Sequence, residues 1–410
     1  MSRANYFHRL IAKWRKAPLF QQILIALILG IVTGFAAGSS ATLLALPGKL
    51  VLQLLGALAP ALILTAIIHA LMTAQLGDGV SFKIVRLLIM NTLVAISIGL
   101  LIANLLQPGL ASSLTPPAAQ AENTAGNNNP LALFLENIPK SLLGPLGDDG
   151  KVIGVIFIAV AFGLALRKER SRPLQHVQDW VELALACFIR ILHWIIAVVP
   201  LAVFGIVASI IGSQGFSAFK SLGWFVASVL LALALQAAYY LIRIQLCSWV
   251  NPVTLLKDTR DALFMAFSTG SSTATMPLTY ECLKKTGLRE QSASLGALVG
   301  ANFNNDGTAL YEAMAALFIA QMLGMNLGLE HQLMVVLTSV IASVGAAGIP
   351  EAGLVTMTLV FGAVGLPTQY IAILLTVDWF LDRCRTAINV MGDINVSCLL
   401  DGKIPDSANT

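Results

Sequence analysis

The sequence predicts an all-α polytopic membrane protein, with eight transmembrane helices and two re-entrant helical hairpins arranged as inverted repeats. Of the 410 residues, 57% are hydrophobic and 11% are charged, whereas soluble domains are about a quarter charged. Apolar segments recur along the chain, and about 20 such residues can cross a bilayer. The predicted spans are 19–38, 43–73, 84–107, 152–166, 187–212, 221–249, 309–327 and 366–380.

The basic residues predict the orientation of the chain. Segment 1–18 carries five Lys or Arg residues, so the positive-inside rule places it in the cytoplasm. The loop 108–130 has none and is expected outside, while 167–173 and 251–261 contain Lys and Arg and are expected inside. We expect a multi-pass protein of the plasma (inner) membrane with both termini in the cytoplasm. The net charge of +4 is small and does not indicate nucleic-acid binding.

The chain changes character near residue 255. Region 1–254 has apolar spans with few polar interruptions, which is typical of a scaffold and oligomerisation region. Region 255–402 interrupts its apolar helices with small polar stretches, which is typical of a functional core. Residues 403–410 are expected to form a cytoplasmic tail.

Two polar stretches predict the re-entrant hairpins. "FSTGSSTATMP" (267–277) and "SVIASVGAAGIPEAG" (339–353) lie between apolar arms that are too short to cross a bilayer alone. Each precedes a helix with its own polar break, at 301–312 and at 385–393. The two hairpins are expected to enter from opposite sides. Inverted repeats with broken helices are typical of secondary transporters.

The segment "DWFLDRCRTAINVMGD" (378–393) places five charges beside an apolar run. A charged residue at bilayer depth is costly and is a functional-site hypothesis by default. At about 100° per residue, six polar side chains fall in one stripe of a helix. They are Asp378, Asp382, Arg385, Thr386, Asn389 and Asp393.

The stripe matches the charged groups of an acidic amino acid. Asp382 can bind the ammonium group, Asn389 the α-carboxylate, and the guanidinium fork of Arg385 a second carboxylate. Asp393 lies near amide and glycine carbonyls and suits a hard cation, which takes oxygen ligands. Neutralisation of Asp by Arg without any ligand remains the alternative.

Three segments resemble the dicarboxylate/amino acid:cation symporter family, the glutamate transporters. They are "NFNNDGTALYEAMAALFIAQ", "GAAGIPEAGLVTM" and "DWFLDRCRTAINVMGD", in that order. The resemblance is dense over 255–402 and looser before it. It implies a symporter that moves L-glutamate or L-aspartate into the cell with sodium. It also implies a homotrimer in the lipid bilayer, with an elevator motion of 255–402 against the scaffold.

The resemblance implies a substrate site between the hairpin tips. Asp382 would take the amine, and Arg385 the side-chain carboxylate. Arg385 indicates acidic substrates, because neutral amino acid exchangers of the family lack arginine there. Arg383 matches the excitatory amino acid transporter branch, whereas archaeal relatives carry an arginine at the place of Gly270. The whole set is Ser271, Ser272, Thr273, Thr308, Ala347, Gly348, Gly353, Asp382, Arg385, Thr386 and Asn389.

Cation sites are implied in the same way, and the third helix contributes to one of them. The first set is Asp393, Gly300, Asn304 and Asn389. The second set is Asp306, Asn304, Asn91 and Thr92. The third set is the backbone of Asn302, Ser343, Val344 and Ala346. Glu312 matches a glutamate associated with proton co-transport, and a purely structural glutamate is the alternative.

Three residues depart from the family pattern. Asn305 replaces the methionine of the usual Asn-Met-Asp-Gly-Thr, Leu88 stands where tyrosine is common, and Glu351 where Gly or Gln is usual. These changes bear on the number and affinity of the coupled cations.

Other functions are weaker matches to the sequence. A C4-dicarboxylate carrier, driven by protons or sodium, would leave Asp382 facing a substrate without an amine. A membrane hydrolase using a serine of "TGSSTATMP" would need a base, and the five histidines lie in other segments. A channel or a sensor without turnover is a third alternative. We therefore expect a transporter and not an enzyme.

Overall fold

The computed structural model describes residues 19–73, 80–110, 152–168, 175–214, 217–345 and 352–403, and every regular element in these ranges is helical. In the first half, a 3₁₀ segment, Gly38–Ala45, joins the first two helices. The helices there are α1 (Leu19–Ala37), α2 (Leu46–Thr73), α3 (Val80–Leu106), α4 (Val152–Lys168), α5 (Gln175–Ile196), α6 (Val199–Gln214) and α7 (Ser217–Cys247).

In the second half, shorter helices alternate with breaks. They are α8 (Pro252–Thr269), α9 (Ser272–Thr286), α10 (Glu290–Ser294), a π-helical turn (Leu295–Val299), α11 (Gly300–Phe303), α12 (Asp306–Met322), α13 (Leu329–Gly345), α14 (Ala352–Ala363), a 3₁₀ turn (Thr368–Tyr370) and α15 (Ile371–Asp401).

Long apolar stretches support the predicted membrane protein. Within the described ranges, Gln21–Ala66, Lys83–Leu106 and Leu222–Cys247 are long and apolar enough to cross a bilayer, and the bent pair α5–α6 makes a fourth if it counts as one span. Large apolar side chains on α1, such as Val32 and Phe35, are more than half exposed, which suits contact with lipid. The number of eight spans stays a prediction.

The predicted span 187–212 contains a bend. It covers parts of α5 and α6, which meet at an angle of 41°, and its being one span stays a prediction. Pro200 stands at the start of α6 and has no N–H to continue the ladder of α5. The polar break predicted at 385–393 is wrong, since α15 runs unbroken from Ile371 to Asp401. Its polar residues pair through their side chains, and the helix has no proline to interrupt the backbone.

Helix α12 is the centre of the described structure. Every residue of α12 except Gln321 is buried. It packs against α3 and α7 from the first half, and against α13, α14 and α15 from the second half. A helix enclosed on all sides in this way can place polar groups where neither water nor lipid reaches them.

The first predicted hairpin has a clear turn. Helices α8 and α9 pack against each other, and Gly270 between them has a φ of 64°, a conformation that favours glycine. Ser271 then caps α9 by accepting a hydrogen bond from Ala274 N. Helices α13 and α14 also pack together, while the turn expected between them, 346–351, lies outside the described residues. Whether either pair re-enters the membrane stays a prediction.

The polar break predicted at 301–312 is present. Asn304 and Asn305 have non-helical backbone angles and separate α11 from α12. Just before them, the π-helical turn Leu295–Val299 widens the helix, and such turns are frequent at functional sites. The break leaves amide groups at the N-terminus of α12 that are free to bind side chains of α15.

Close contact with α15 depends on glycines. A Cβ atom at Gly296 would lie 2.7 Å from both Cα and Cβ of Ser397, and one at Gly307 would lie 2.6 Å from the carbonyl oxygen of Arg385. A Cβ at Gly300 would overlap the carboxylate of Asp393. Small residues let helix backbones approach in this way.

We expect the substitution Gly296→Ala to lower the free energy of unfolding by about 1–3 kcal/mol, because the added methyl group overpacks the contact with Ser397. The matched control is Gly223→Ala on α7, where a Cβ meets no heavy atom within 4 Å. Thermal unfolding of both variants in the same detergent checks this. Equal melting temperatures for the two would contradict the close packing of α15.

Candidate functional site

Arg385 forms a buried ion cluster on α15. Its side chain is fully buried, and its Nη2 lies 2.8 Å from Asp382 Oδ1 and 3.1 Å from Asp378 Oδ1. The guanidinium also stacks on Tyr311 of α12, with 4.1 Å from its carbon to the ring centroid. The contacts with Asp378 and Asp382 follow from the predicted stripe, because residues three, four and seven positions apart share one face of a helix.

The guanidinium has unused donors. Arg385 Nε and Nη1 have no hydrogen-bond partner among the described residues. A buried donor left unpaired costs about 1–3 kcal/mol, and Nη1 lies 3.1 Å from the position that a Cβ would take at Gly353 of α14. The cluster shows the Asp–Arg pairing of the ligand-free alternative, yet it leaves N–H donors of Nε and Nη1 available to carboxylate oxygens.

Asn389 joins α15 to the broken end of α12. Its Oδ1 accepts a hydrogen bond from Gly307 N at 2.8 Å. Its Nδ2 lies 3.4 Å from both Asn305 Oδ1 and Thr308 Oγ1. Thr386 turns inward and donates to Asp382 O at 2.8 Å. The structure thus brings together the predicted substrate residues Thr308, Asp382, Arg385, Thr386 and Asn389.

A second buried cluster surrounds Asp306, at the start of α12. Thr92 of α3 donates to Asp306 Oδ1 at 2.7 Å, and Tyr240 of α7 donates to Oδ2. The amide of Asn304 satisfies its neighbours when its nitrogen faces both oxygens of Asp306, at 2.9 and 3.2 Å, and its oxygen accepts from Asp393 N at 3.2 Å. Asp306, Asn304 and Asp393 therefore form one polar group.

Not every predicted cation ligand joins this group. Gly300 lies against the Asp393 carboxylate, and the role of its carbonyl oxygen as a cation ligand stays a prediction. Asn91, however, directs its amide elsewhere: Nδ2 donates to Asn395 Oδ1 at 3.4 Å, and Oδ1 accepts from Arg243. Leu88 is buried on α3 one turn before Thr92, and its carbonyl oxygen lies 3.1 Å from Thr92 Oγ1.

The predicted third cation set is only partly described. Asn305 Nδ2 donates to Ser343 O at 2.9 Å, so this departure from the family pattern ties α12 to the end of α13. Asn302 donates to Leu298 O, within its own helical segment. Val344 follows Ser343 in the last turn of α13, and the remaining predicted residues here, Ala346, Ala347, Gly348 and Glu351, lie outside the described residues.

The tip of the first hairpin lies beside α11. Ser272 is buried and donates to Ala301 O at 3.2 Å, while Ser271 is used as the cap of α9 and Thr273 is half-buried. The hairpin tip is thereby fixed to the segment that leads into the Asn304–Asn305 break.

Glu312 is fully buried in the middle of α12. Its Oε1 accepts a hydrogen bond from Thr356 of α14, and its Oε2 has no hydrogen-bond partner in the described part of the chain. The carboxyl therefore bridges the central helix and the second arm of the α13–α14 pair. Arg383, in contrast, donates to Trp379 O of its own helix at 2.7 Å.

A family profile agrees with this arrangement. The profile of the sodium:dicarboxylate symporter family matches residues 19–403, which is nearly the whole described chain. The chain belongs to this family. The resemblance seen in its three motifs is confirmed. The family is one of transporters and not of enzymes.

Relatives of this chain include excitatory amino acid transporters. The chain is 36% identical to human excitatory amino acid transporter 3 over 255 residues, 62% of this chain and 48% of the relative. It is 36% identical to rat excitatory amino acid transporter 4 over 307 residues, which are 69% of this chain and 52% of the relative. A putative sodium-dependent excitatory amino acid transporter, glt-4 of Caenorhabditis elegans, is 34% identical over 279 residues, which are 66% of this chain and 54% of the relative. The chain spans about half the length of the relatives it matches.

Three side chains at the two buried clusters were not predicted as site residues. Tyr311 supports Arg385, Tyr240 contacts Asp306, and Arg243 contacts Asn91. Arg243 had a signal in the sequence, because it is a charged residue inside the apolar span 221–249. The two tyrosines had none, since an aromatic residue in an apolar helix is ordinarily a packing residue.

Proposed function

We propose that this symporter takes up acidic amino acids, L-glutamate or L-aspartate, together with sodium ions. The observation that carries the proposal is the buried Arg385, whose Nε and Nη1 are unused while its Nη2 meets two carboxylates. A substrate carboxylate would accept a hydrogen bond from one of these unused donors, and it would gain a second from Nη2 where it displaces an Asp carboxylate. The substrate ammonium would then compete with Arg385 for Asp382, which converts an internal ion pair into two pairs with the substrate.

Charge balance supports the coupling to cations. Asp306, Asp378, Asp382 and Asp393 are buried carboxyl groups, and two of them, Asp378 and Asp382, contact the fully buried Arg385. Adding an anionic substrate increases the excess of negative charge, and a buried charge is costly unless it is compensated. Cations that bind beside Asp393 would offset this excess, so substrate and sodium would each favour binding of the other.

Asn389 provides a physical link between the two kinds of site. It contacts Gly307 and Thr308 in the substrate region, and it is one helical turn from Asp393 on the same face of α15. Inward movement of net positive charge contributes about 2.3 kcal/mol per charge for each 100 mV of membrane potential. Coupling to sodium would therefore drive accumulation of the substrate.

The finer parts of the proposal rest on the family resemblance. They are an elevator motion of 255–402 against a homotrimeric scaffold formed by 1–254, two re-entrant hairpins, and a location in the plasma membrane with cytoplasmic termini. Proton co-transport through Glu312 belongs with them. The contact of Glu312 with Thr356 supports this last part, because a proton gained or lost at Glu312 would change its bond to α14.

A C4-dicarboxylate carrier is the second candidate, and the name of the matching family favours it. Arg385 would serve a dicarboxylate equally well. Asp382 opposes this candidate. A bound dicarboxylate would draw the Arg385 guanidinium away from Asp382, and it has no ammonium group to take the place of that guanidinium.

We expect purified protein in proteoliposomes to take up labelled L-aspartate or L-glutamate under an imposed sodium gradient. The substitution Arg385→Cys should abolish this uptake, because the side-chain carboxylate loses its partner, and Arg385→Lys should retain only part of it, because lysine lacks the fork. Gain of neutral amino acid uptake in Arg385→Cys would show that the variant is folded.

Absence of acidic amino acid uptake by the unaltered protein under sodium or proton gradients would contradict the proposed function. Uptake of labelled succinate in the same vesicles, without uptake of aspartate, would establish the second candidate instead. Uptake driven by a proton gradient alone would assign the coupling to Glu312 and not to sodium.

We expect Glu312→Gln to keep sodium-driven aspartate uptake but to lose its response to an inward proton gradient. Glutamine preserves the contact with Thr356 and cannot carry a proton. The control is Glu281→Gln, an exposed carboxyl on α9, which should respond as the unaltered protein does. An undiminished response in Glu312→Gln would exclude Glu312 as the proton carrier.

A further inference from the structure

Arg243 is a positive charge in an apolar helix, close to the proposed second cation site. It lies in the membrane-length stretch Leu222–Cys247 of α7, and its guanidinium donates to Asn91 Oδ1. It also lies over the ring of Tyr239, 5.6 Å from the centroid. A charged side chain in such a span marks a functional site by default, and the proposed function has not used this one.

Two helices bring Arg243 to the carboxylate of Asp306. Tyr240, three residues earlier on α7, donates to Asp306 Oδ2, and Thr92, next to Asn91 on α3, donates to Asp306 Oδ1. Residues three apart on a helix are neighbours on its surface. The guanidinium and the carboxylate therefore attract each other across this cluster.

The ligands expected around a cation at Asp306 are already engaged. Both carboxylate oxygens of Asp306 accept hydroxyl hydrogen bonds, and the Asn304 amide nitrogen faces them as a further donor. Asn91, expected to offer its oxygen to the cation, gives it to Arg243 instead. A cation needs oxygen lone pairs directed at it, and this cluster directs donors at the carboxylate.

We propose that Arg243 is a tethered cation that replaces one co-transported sodium ion, so that Asp306 binds no transported cation. This inference rests on the proposed sodium-coupled uptake of acidic amino acids. The guanidinium withdraws Asn91 from the ligand set and supplies the positive charge that a mobile ion would supply. Asp393, which lies against Gly300 on the other side of Asn304, keeps its place as a sodium ligand.

Simple extension of the arginine towards the membrane surface is the competing explanation. Long basic side chains near helix ends do place their charge at the interface, and Arg243 is four residues from the end of α7. That explanation predicts no effect on ion coupling when the charge is removed. The two explanations therefore predict different numbers of sodium ions taken up per aspartate when the charge of Arg243 is removed.

The test compares the ratio of sodium to aspartate taken up, using labelled sodium and labelled aspartate in the same proteoliposomes. Arg243→Gln and Arg243→Met remove the charge and release Asn91, and each should add about one sodium ion per aspartate. Arg243→Lys retains a charge and should keep the original ratio. Lys83→Gln removes a basic group of α3 that contacts Leu400 O but not Asn91, and it should also keep the ratio.

An unchanged ratio in a folded Arg243→Gln or Arg243→Met protein would overturn the proposal, as would a raised ratio in Lys83→Gln. A second measurement needs no variant. Crystals of the unaltered protein grown with thallium, a monovalent cation that scatters anomalously, should show a peak beside Asp393 and none in contact with Asp306. A peak on Asp306 would overturn the proposal even if both neutral variants failed to fold. Failure of aspartate uptake by the unaltered protein, in contrast, would count against the proposed function.

Discussion

Burial of the Arg385 guanidinium is the constraint on which the rest of the structure depends. A buried ion pair gains less from its attraction than its ions lose in hydration unless the geometry is good and further contacts help. Arg385 meets these demands with two carboxylates of its own helix and the ring of Tyr311. That arrangement requires α12 to lie directly on α15, and the glycines at 296, 300 and 307 allow this approach.

The same approach places the two polar clusters in contact. The break at Asn304–Asn305 ends α11 and begins α12 beside α15, so Asn304 meets Asp306 and Asp393 while Asn305 and Gly307 meet Asn389. Substrate groups and cation ligands thus share one short segment of α12 and one face of α15. In the proposed function, this shared segment couples the binding of substrate to the binding of ions.

The sequence predicted what a single segment encodes. The stripe on α15, a turn within 267–277 and a polar break within 301–312 follow from helical spacing and from runs of small polar residues, and all three are present. It did not predict what distant segments decide. The polar stretch 385–393 stays helical, and the backbone break that meets it lies on the other segment, where Gly307 N donates to Asn389 Oδ1. Asn91 turns away from Asp306 because Arg243, more than 150 residues along the chain, takes its oxygen.

The central claim is that Asp382 and Arg385 divide the charges of an acidic amino acid between them. Titration calorimetry of L-aspartate and succinate, with the unaltered protein and with Asp382→Asn, tests it directly. The claim predicts that the unaltered protein prefers L-aspartate. It also predicts that Asp382→Asn weakens aspartate binding by about 2–5 kcal/mol, the usual effect of truncating one partner of a buried charge pair, but does not weaken succinate binding. Equal losses for both ligands, or a preference of the unaltered protein for succinate, would contradict it.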